Sequence, residues 1–297
     1  MRVTCQSYAA ALTSIWAIAL CSCGNRPPVF SIEPACSVVV PSEASRSVQV
    51  GGIATPPPGS YRSARVYSNG YVELSELVTY NGPGPWITYL GTTCIPEIRA
   101  TKLFTLLDGT PPGSPPDDNR QPCVLAFRTA RGSDWQGCAY PLLAAQLLAE
   151  LPVLSPPAVA SRCPGSACQV RILSETAPRS HERYGQIIQD VILDADGTFW
   201  CAKRDQEESA DSDMLHVDRG HIAKPDAPHV FKWLIGDAVE RDTSRRAPIS
   251  PDKPIDRVQI RVDASDWVPV SDSAAAATST RWRQIAPTLP PACNSTH

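Results

Sequence analysis

Tyr67-Ser68-Asn69-Gly70-Tyr71 and Asp194-Ala195-Asp196-Gly197-Thr198 are the two stretches whose reading decides the fold. Asn-Gly or Asp-Gly between alternating apolar runs is the strongest short-range signal of a β-hairpin, because the tight turn needs positive φ. Each turn precedes an amphipathic helix. In the first, Ala100, Leu103, Phe104 and Leu107 share a face and Gly109 closes it; in the second, Ala227, Val230, Phe231 and Leu234 do so and Gly236 closes it. The pairs Gly70/Gly197, Ala100/Ala227, Phe104/Phe231 and Gly109/Gly236 are all separated by 127 positions.

Two further matches extend this register. Ser133-Asp134-Trp135 returns as Ser265-Asp266-Trp267 at a spacing of 132, and the last helices, with Leu151-Pro152 and Leu289-Pro290, match at 138. The offset grows where loops absorb insertions, as in a duplicated domain. The expected fold class is therefore α+β: two similar lobes, each an antiparallel sheet of hairpins with helices packed on one face, stapled by disulfides. The plainer alternative is that any hairpin-helix-hairpin-helix chain has such spacings.

A length of 297 residues suits one large or two ordinary domains. A net charge of -3 gives no basic stripe for nucleic acid. No segment after residue 22 is apolar for long enough to cross a bilayer.

Arg2 followed by the apolar run Tyr8 to Leu20 reads as an export signal. Its end, Leu20-Cys21-Ser22-Cys23, resembles the lipobox of bacterial lipoproteins, with Cys21 standing where Ala, Ser or Thr is usual. That resemblance covers the signal only and implies lipidation at Cys23 and a body held at the outside of a bacterial membrane. Cleavage after Ala19, releasing a soluble protein, is the rival. The organisation expected is a signal peptide over 1–22, a Pro/Ser-rich tether over 23–62, a first lobe over 63–155, a connection over 156–168 and a second lobe over 169–297. Ser37 to Val40 and Ser47 to Val50 read as short edge strands within the tether.

Beyond Cys23 lie Cys36, Cys94, Cys123, Cys138, Cys163, Cys168, Cys201 and Cys293, an even set that an oxidising compartment turns into disulfides. Cys123 with Cys138 across a hairpin and Cys163 with Cys168 around a short loop are the local pairings. Cys36 with Cys94 and Cys201 with Cys293 complete the set.

Chemistry-bearing patterns are sparse. His216, Asp218, His221 and His229 offer metal-ligating types, but without helical His-x-x-x-His spacing; polar loop residues capping a helix are the simpler reading. Asp194-x-Asp196-Gly197 lacks the twelfth-position Glu of a calcium loop and reads as a hairpin turn. No Gly-x-Ser-x-Gly elbow, phosphate-cradling loop or Cys-x-x-Cys pair occurs. Trp135 and Trp267, just after turns, are either exposed platforms for a glycan or protein, or core anchors beneath each helix. The acidic run Asp205 to Asp213 reads as a solvated loop. A cell-envelope lipoprotein acting as a non-enzymatic binding or structural module, without cofactor, is expected. Its partners would be the membrane through the lipid and an envelope protein or glycan. An envelope hydrolase with a site between the lobes, or an inhibitor presenting the Pro-rich loop 110–122, are the alternatives.

Overall fold

The computed structural model describes residues 27–34, 36, 38–42, 45–52, 61–79, 86–109, 121–157, 167–175, 187–204, 214–239, 255–262 and 267–294. The first half of the chain contributes β1 (Ile32–Pro34), β2 (Ser47–Gly51), β3 (Tyr61–Tyr67), β4 (Tyr71–Thr79), β5 (Trp86–Cys94), α1 (Glu97–Gly109), β6 (Cys123–Arg128), β7 (Asp134–Ala139) and α2 (Pro141–Glu150). The second contributes β8 (Ala167–Glu175), β9 (Ile187–Asp194), β10 (Thr198–Arg204), β11 (Met214–Ile222), α3 (Ala227–Val239), β12 (Ile255–Val262), β13 (Val268–Pro269) and α4 (Asp272–Ile285). Two short 3-10 turns, Ala286–Thr288 and Pro291–Cys293, follow α4.

The strands form one large mixed sheet in the order β13-β12-β8-β9-β10-β11-β5-β4-β3-β2-β6-β7, with β1 added to the end of β11. Read inward from either edge, the order of strands within each half is the same. The halves meet where β5 runs parallel to β11; every other pairing among the described residues is antiparallel.

Both hairpin turns form where Asn69-Gly70 and Asp196-Gly197 place them. The side chains of Asn69 and Asp196 accept the amides of Tyr71 and Thr198 at 3.1 and 2.8 Å, and so close the turns. Gly70 and Gly197 sit at φ 88° and 97°. A Cβ there would lie 2.4 Å from the Ile95 carbonyl oxygen and 2.8 Å from that of Ile222. Only glycine fits. The predicted faces of α1 and α3 are the buried ones, and α3 breaks at Gly236, φ 61°.

Parallel pairing at the joint fixes which faces meet. Tyr89 lies beside Leu215 and Gly91 beside Val217; Tyr89 and Gly91 also pair with Glu76 and Leu74, and Val217 pairs with Ala202. Paired residues share a face of a sheet. All of these therefore look to one side. In the first half that side is covered by α1 and α2, and Leu74 and Tyr89 join Ala100, Leu103, Leu107, Ala144 and Leu147 in one core. In the second half α3 and α4 cover the other side, packing on Val170, Ile172, Val191, Leu193, Phe199, Cys201 and Val258. Among the described residues each half has one helix-covered and one helix-free face, and the helix pairs sit on opposite sides of the sheet.

After α2 the chain crosses the joint. Arg62 donates to the carbonyls of Leu148, Leu151 and Pro152 at 2.9, 3.0 and 2.6 Å, which satisfies the orphan groups at the helix end. The buried Glu76 accepts the amides of Leu154 and Ser155 at 2.5 and 3.2 Å, and Trp200 Nε1 donates to the Leu154 carbonyl at 2.8 Å. Arg219, close to Glu76 and Arg62, has its pKa pushed down to about 10 by burial, with Glu76 opposing the shift and Arg62 adding to it. After α4 the chain is tied back at the matching positions. Gln189 donates to the Ala292 carbonyl, Lys203 donates to the Asn294 carbonyl, and Cys201 is bonded to Cys293.

Several expectations are corrected. Residues 23–62, expected as a tether, supply β1 and β2, and β2 lies inside the sheet between β3 and β6. The segment holding His216 to His221, expected as a loop, is β11, because Leu215, Val217 and Arg219 alternate with His216, Asp218 and Gly220. Ala274 to Ala277 lie in the first turns of α4, whose Ser271 caps the amide of Ala274 at 3.4 Å. The expected disulfides Cys36–Cys94, Cys123–Cys138 and Cys201–Cys293 are present. Cys168 is disulfide-bonded, and Cys163, its expected partner, lies outside the described residues.

Candidate binding surface

The helix-free face of the first half carries a groove. Ladder pairs place Arg65 beside Glu73 and Gln49, Gln49 beside Ala126, Ala126 beside Gln136, and Arg128 beside Asp134. Alternation sends these side chains away from the core that takes Val48, Val66 and Phe127. Gln49, Arg65, Ala126, Arg128, Asp134 and Gln136, with Ser45, Ser47, Phe127 and Trp135, line a groove of about 300 Å³. Arg46 fixes one wall. Its guanidinium donates to the Arg128 carbonyl at 2.7 Å, pairs with Asp108 and lies 4.7 Å over the Phe104 ring. That clamps the strand bearing Ser45 and Ser47 against the β6–β7 hairpin. Burial would raise the Asp108 pKa, but the amide of Ala130 and the Arg46 guanidinium together hold it below the ordinary carboxylate value.

Trp135 and Trp267 do not occupy equivalent places. Val48 pairs with Phe127, which pairs with Trp135; at the matching ladder positions Val170 pairs with Ile260, which pairs with Val268. The structural match of Trp135 is Val268, and that of Asp134 is Trp267. The Ser-Asp-Trp spacing is 132 whereas the strand spacing is 133, and a one-residue slip turns a side chain to the other face. Trp135 is half-buried on the first core, its ring 5.3 Å from that of Phe127. Trp267 lies on the helix-free face of the second half, 4.4 Å from the guanidinium of Arg261 and 6.0 Å from that of Arg171.

The second helix-free face is therefore occupied where the first is open. Arg171 is held by the buried Asp190 through two hydrogen bonds of 2.8 and 2.6 Å, and Arg261 donates to Gln169 at 3.2 Å. Beside them, burial pushes Asp194 up to about 6; the Gln169 amide and the Arg261 charge pull the other way, and Asp196 adds repulsion.

The four metal-type residues do not converge. His216 and Asp218 point to one face of β11 and His221 to the other, while His229 is on α3. Asp218 accepts the amide of Ala292 at 2.7 Å, and His221 Nδ1 contacts the Ile222 carbonyl. Among the described residues no group of three His, Cys, Asp or Glu could hold a metal ion. No described helix is long and apolar enough to cross a membrane. Cys23, the acidic run Asp205 to Asp213 and residues 110–120 of the Pro-rich loop lie outside the described residues.

The groove had no motif to announce it. Gln49, Arg65, Gln136 and the Arg128–Asp134 pair come together only through the strand order β3-β2-β6-β7. Set against protein-family models, curated proteins and solved structures, the chain matches none of them.

Proposed function

We propose that the protein is an exported cell-envelope lipoprotein, anchored by lipid at Cys23, that acts as a non-enzymatic binding module of two related α+β lobes and binds its partner in the groove of the first lobe. The groove carries the reading: about 300 Å³, lined by hydroxyl, amide and guanidinium groups. Duplication is supported by the repeated strand order, and by Arg62/Gln189 and Glu76/Lys203, which tie down the chain after α2 and after α4 from matching positions.

A hydrolase site between the lobes is the less favoured alternative. On one face the joint is filled by Tyr89, Trp200, Leu215, Val217 and Leu154, an apolar seam rather than a cleft of converging carboxylates.

Anchoring at Cys23 would hold the body close to the bilayer. Ser31 donates to Asp226 at 3.2 Å and the chain then enters β1. Eight residues extended reach about 28 Å. The tether would thus be far shorter than 23–62.

Two measurements test the reading. Processing of the precursor should stop with an inhibitor of lipoprotein signal peptidase and change with Cys23→Ala; processing indifferent to both would remove the anchor. The chain lacking residues 1–23 should bind isolated bacterial envelope saturably and without turnover. Release of ester, peptide or sugar products on incubation would favour the hydrolase instead.

A further inference from the structure

We infer that the groove of the first half takes an acidic glycan, a chain of sugar rings bearing carboxylates, and that Arg65 reads the carboxylate. This rests on the groove being the contact surface. The chemistry of its lining narrows the occupant. Ser45, Ser47, Gln49 and Gln136 offer donors and acceptors at once, which matches sugar hydroxyls, themselves donors and acceptors.

Charge decides the rest. Arg128 is held through two hydrogen bonds, 2.7 and 3.1 Å, by Asp134, so that pair is neutralised within the groove. Arg65 meets Glu73 at 3.9 Å, next to the Tyr67 hydroxyl, with the Arg65 and Glu73 side chains about half exposed (51% and 47%). Such an exposed ion pair is weak and screened by salt. An incoming carboxylate can replace it with a two-pronged hydrogen-bonded pair. One such guanidinium among neutral amides and hydroxyls, with Asp134 beside them, suits a sparsely charged glycan. A nucleic acid would need a basic stripe, and a protein partner a deep apolar anchor pocket.

Isothermal titration of the chain lacking residues 1–23 tests this with two probes, a tetragalacturonate and the same chain after reduction of its carboxyls. The acidic probe should bind about tenfold tighter than the neutral one, a difference of about 1.4 kcal/mol. That preference should shrink as salt rises. Arg65→Gln should abolish the preference and Arg65→Lys keep part of it. Because Arg65 is half exposed, an unchanged melting temperature will show that both variants fold. Equal affinity for the two probes, or a preference that survives Arg65→Gln, overturns the acidic assignment and leaves the binding module standing. Failure of both probes overturns the glycan, and envelope retention of the same chain then decides whether the module reading falls with it.

Discussion

The two helix-free faces are built on the same strand order, yet one is a groove and the other is occupied by side chains. Where the first half places Asp134, paired with Arg128 at the edge of the groove, the second places Trp267 over Arg261 and Arg171. The tripeptide Ser-Asp-Trp is repeated in the chain but not in space. A one-residue difference in register sends one tryptophan toward its core and the other onto the helix-free face, where the first half has its groove. Repeated sequence can therefore accompany a repeated strand order while its most conspicuous residues do different work in the two halves.

The returning segments differ in the same way. Leu154 and Ser155 are held by the carboxyl of Glu76 in the first half; in the second, Cys293 is held by a covalent bond to Cys201. Cys201→Ser with Cys293→Ser should be the most damaging change. It opens a loop of 92 residues and should cost about 4 kcal/mol, read as a lowered denaturation midpoint. A loss equal to that from opening the 15-residue Cys123–Cys138 loop would mean that the latch is not what the second half depends on.

Glu76→Ala should come next. It strands two amides at a buried site and should cost about 3 kcal/mol, with faster hydrogen exchange at Leu154 and Ser155. Exchange unchanged at those amides would show that Leu154 packing alone holds the crossing segment.

The smallest effect concerns Asp194 and separates the faces by pH. Its folded pKa, about 6, lies above the usual unfolded value near 3.9. The folded state then holds the proton more tightly, so the stability Asp194 contributes is complete below about pH 4 and lost as pH rises through about 6. Melting temperatures across that window should fall in the native chain and fall less in Asp194→Asn. No difference between the two profiles would remove the titration.

Much of the scaffold was legible. The Asn-Gly and Asp-Gly turns, the buried faces of α1 and α3 and the Cys123–Cys138 pairing follow from local chemistry: positive φ, 3.6-residue periodicity and a hairpin that brings two cysteines together; Cys36–Cys94 and Cys201–Cys293 are what remains once the local pairs are set. The joint was not legible. β11 interleaves Leu215 and Val217 with His216, Asp218 and Arg219, which disguises a central strand as a polar loop, and β5 hides likewise behind Thr88, Gly91, Thr92 and Thr93. β2 looked like an edge because Ser47, Gln49 and Gly51 dilute its apolar positions, although Val48 and Val50 are wholly buried. The groove was illegible for a further reason. Its residues come from positions 45 to 136 and meet only through non-local pairing, with no spacing rule to join them.

The claim that the first face binds and the second does not is tested most directly by making the same substitution at matched positions. Ala126 and Gln259 occupy equivalent rungs, Ala126 between Gln49 and Gln136 and Gln259 between Arg171 and Pro269. Ala126→Trp should fill the groove and reduce retention of the chain on isolated envelope at least tenfold, whereas Gln259→Trp should leave retention unchanged, with both variants keeping the native melting temperature within about 3 °C. Equal losses from the two, or a loss from Gln259→Trp alone, would contradict the assignment of function to the first face.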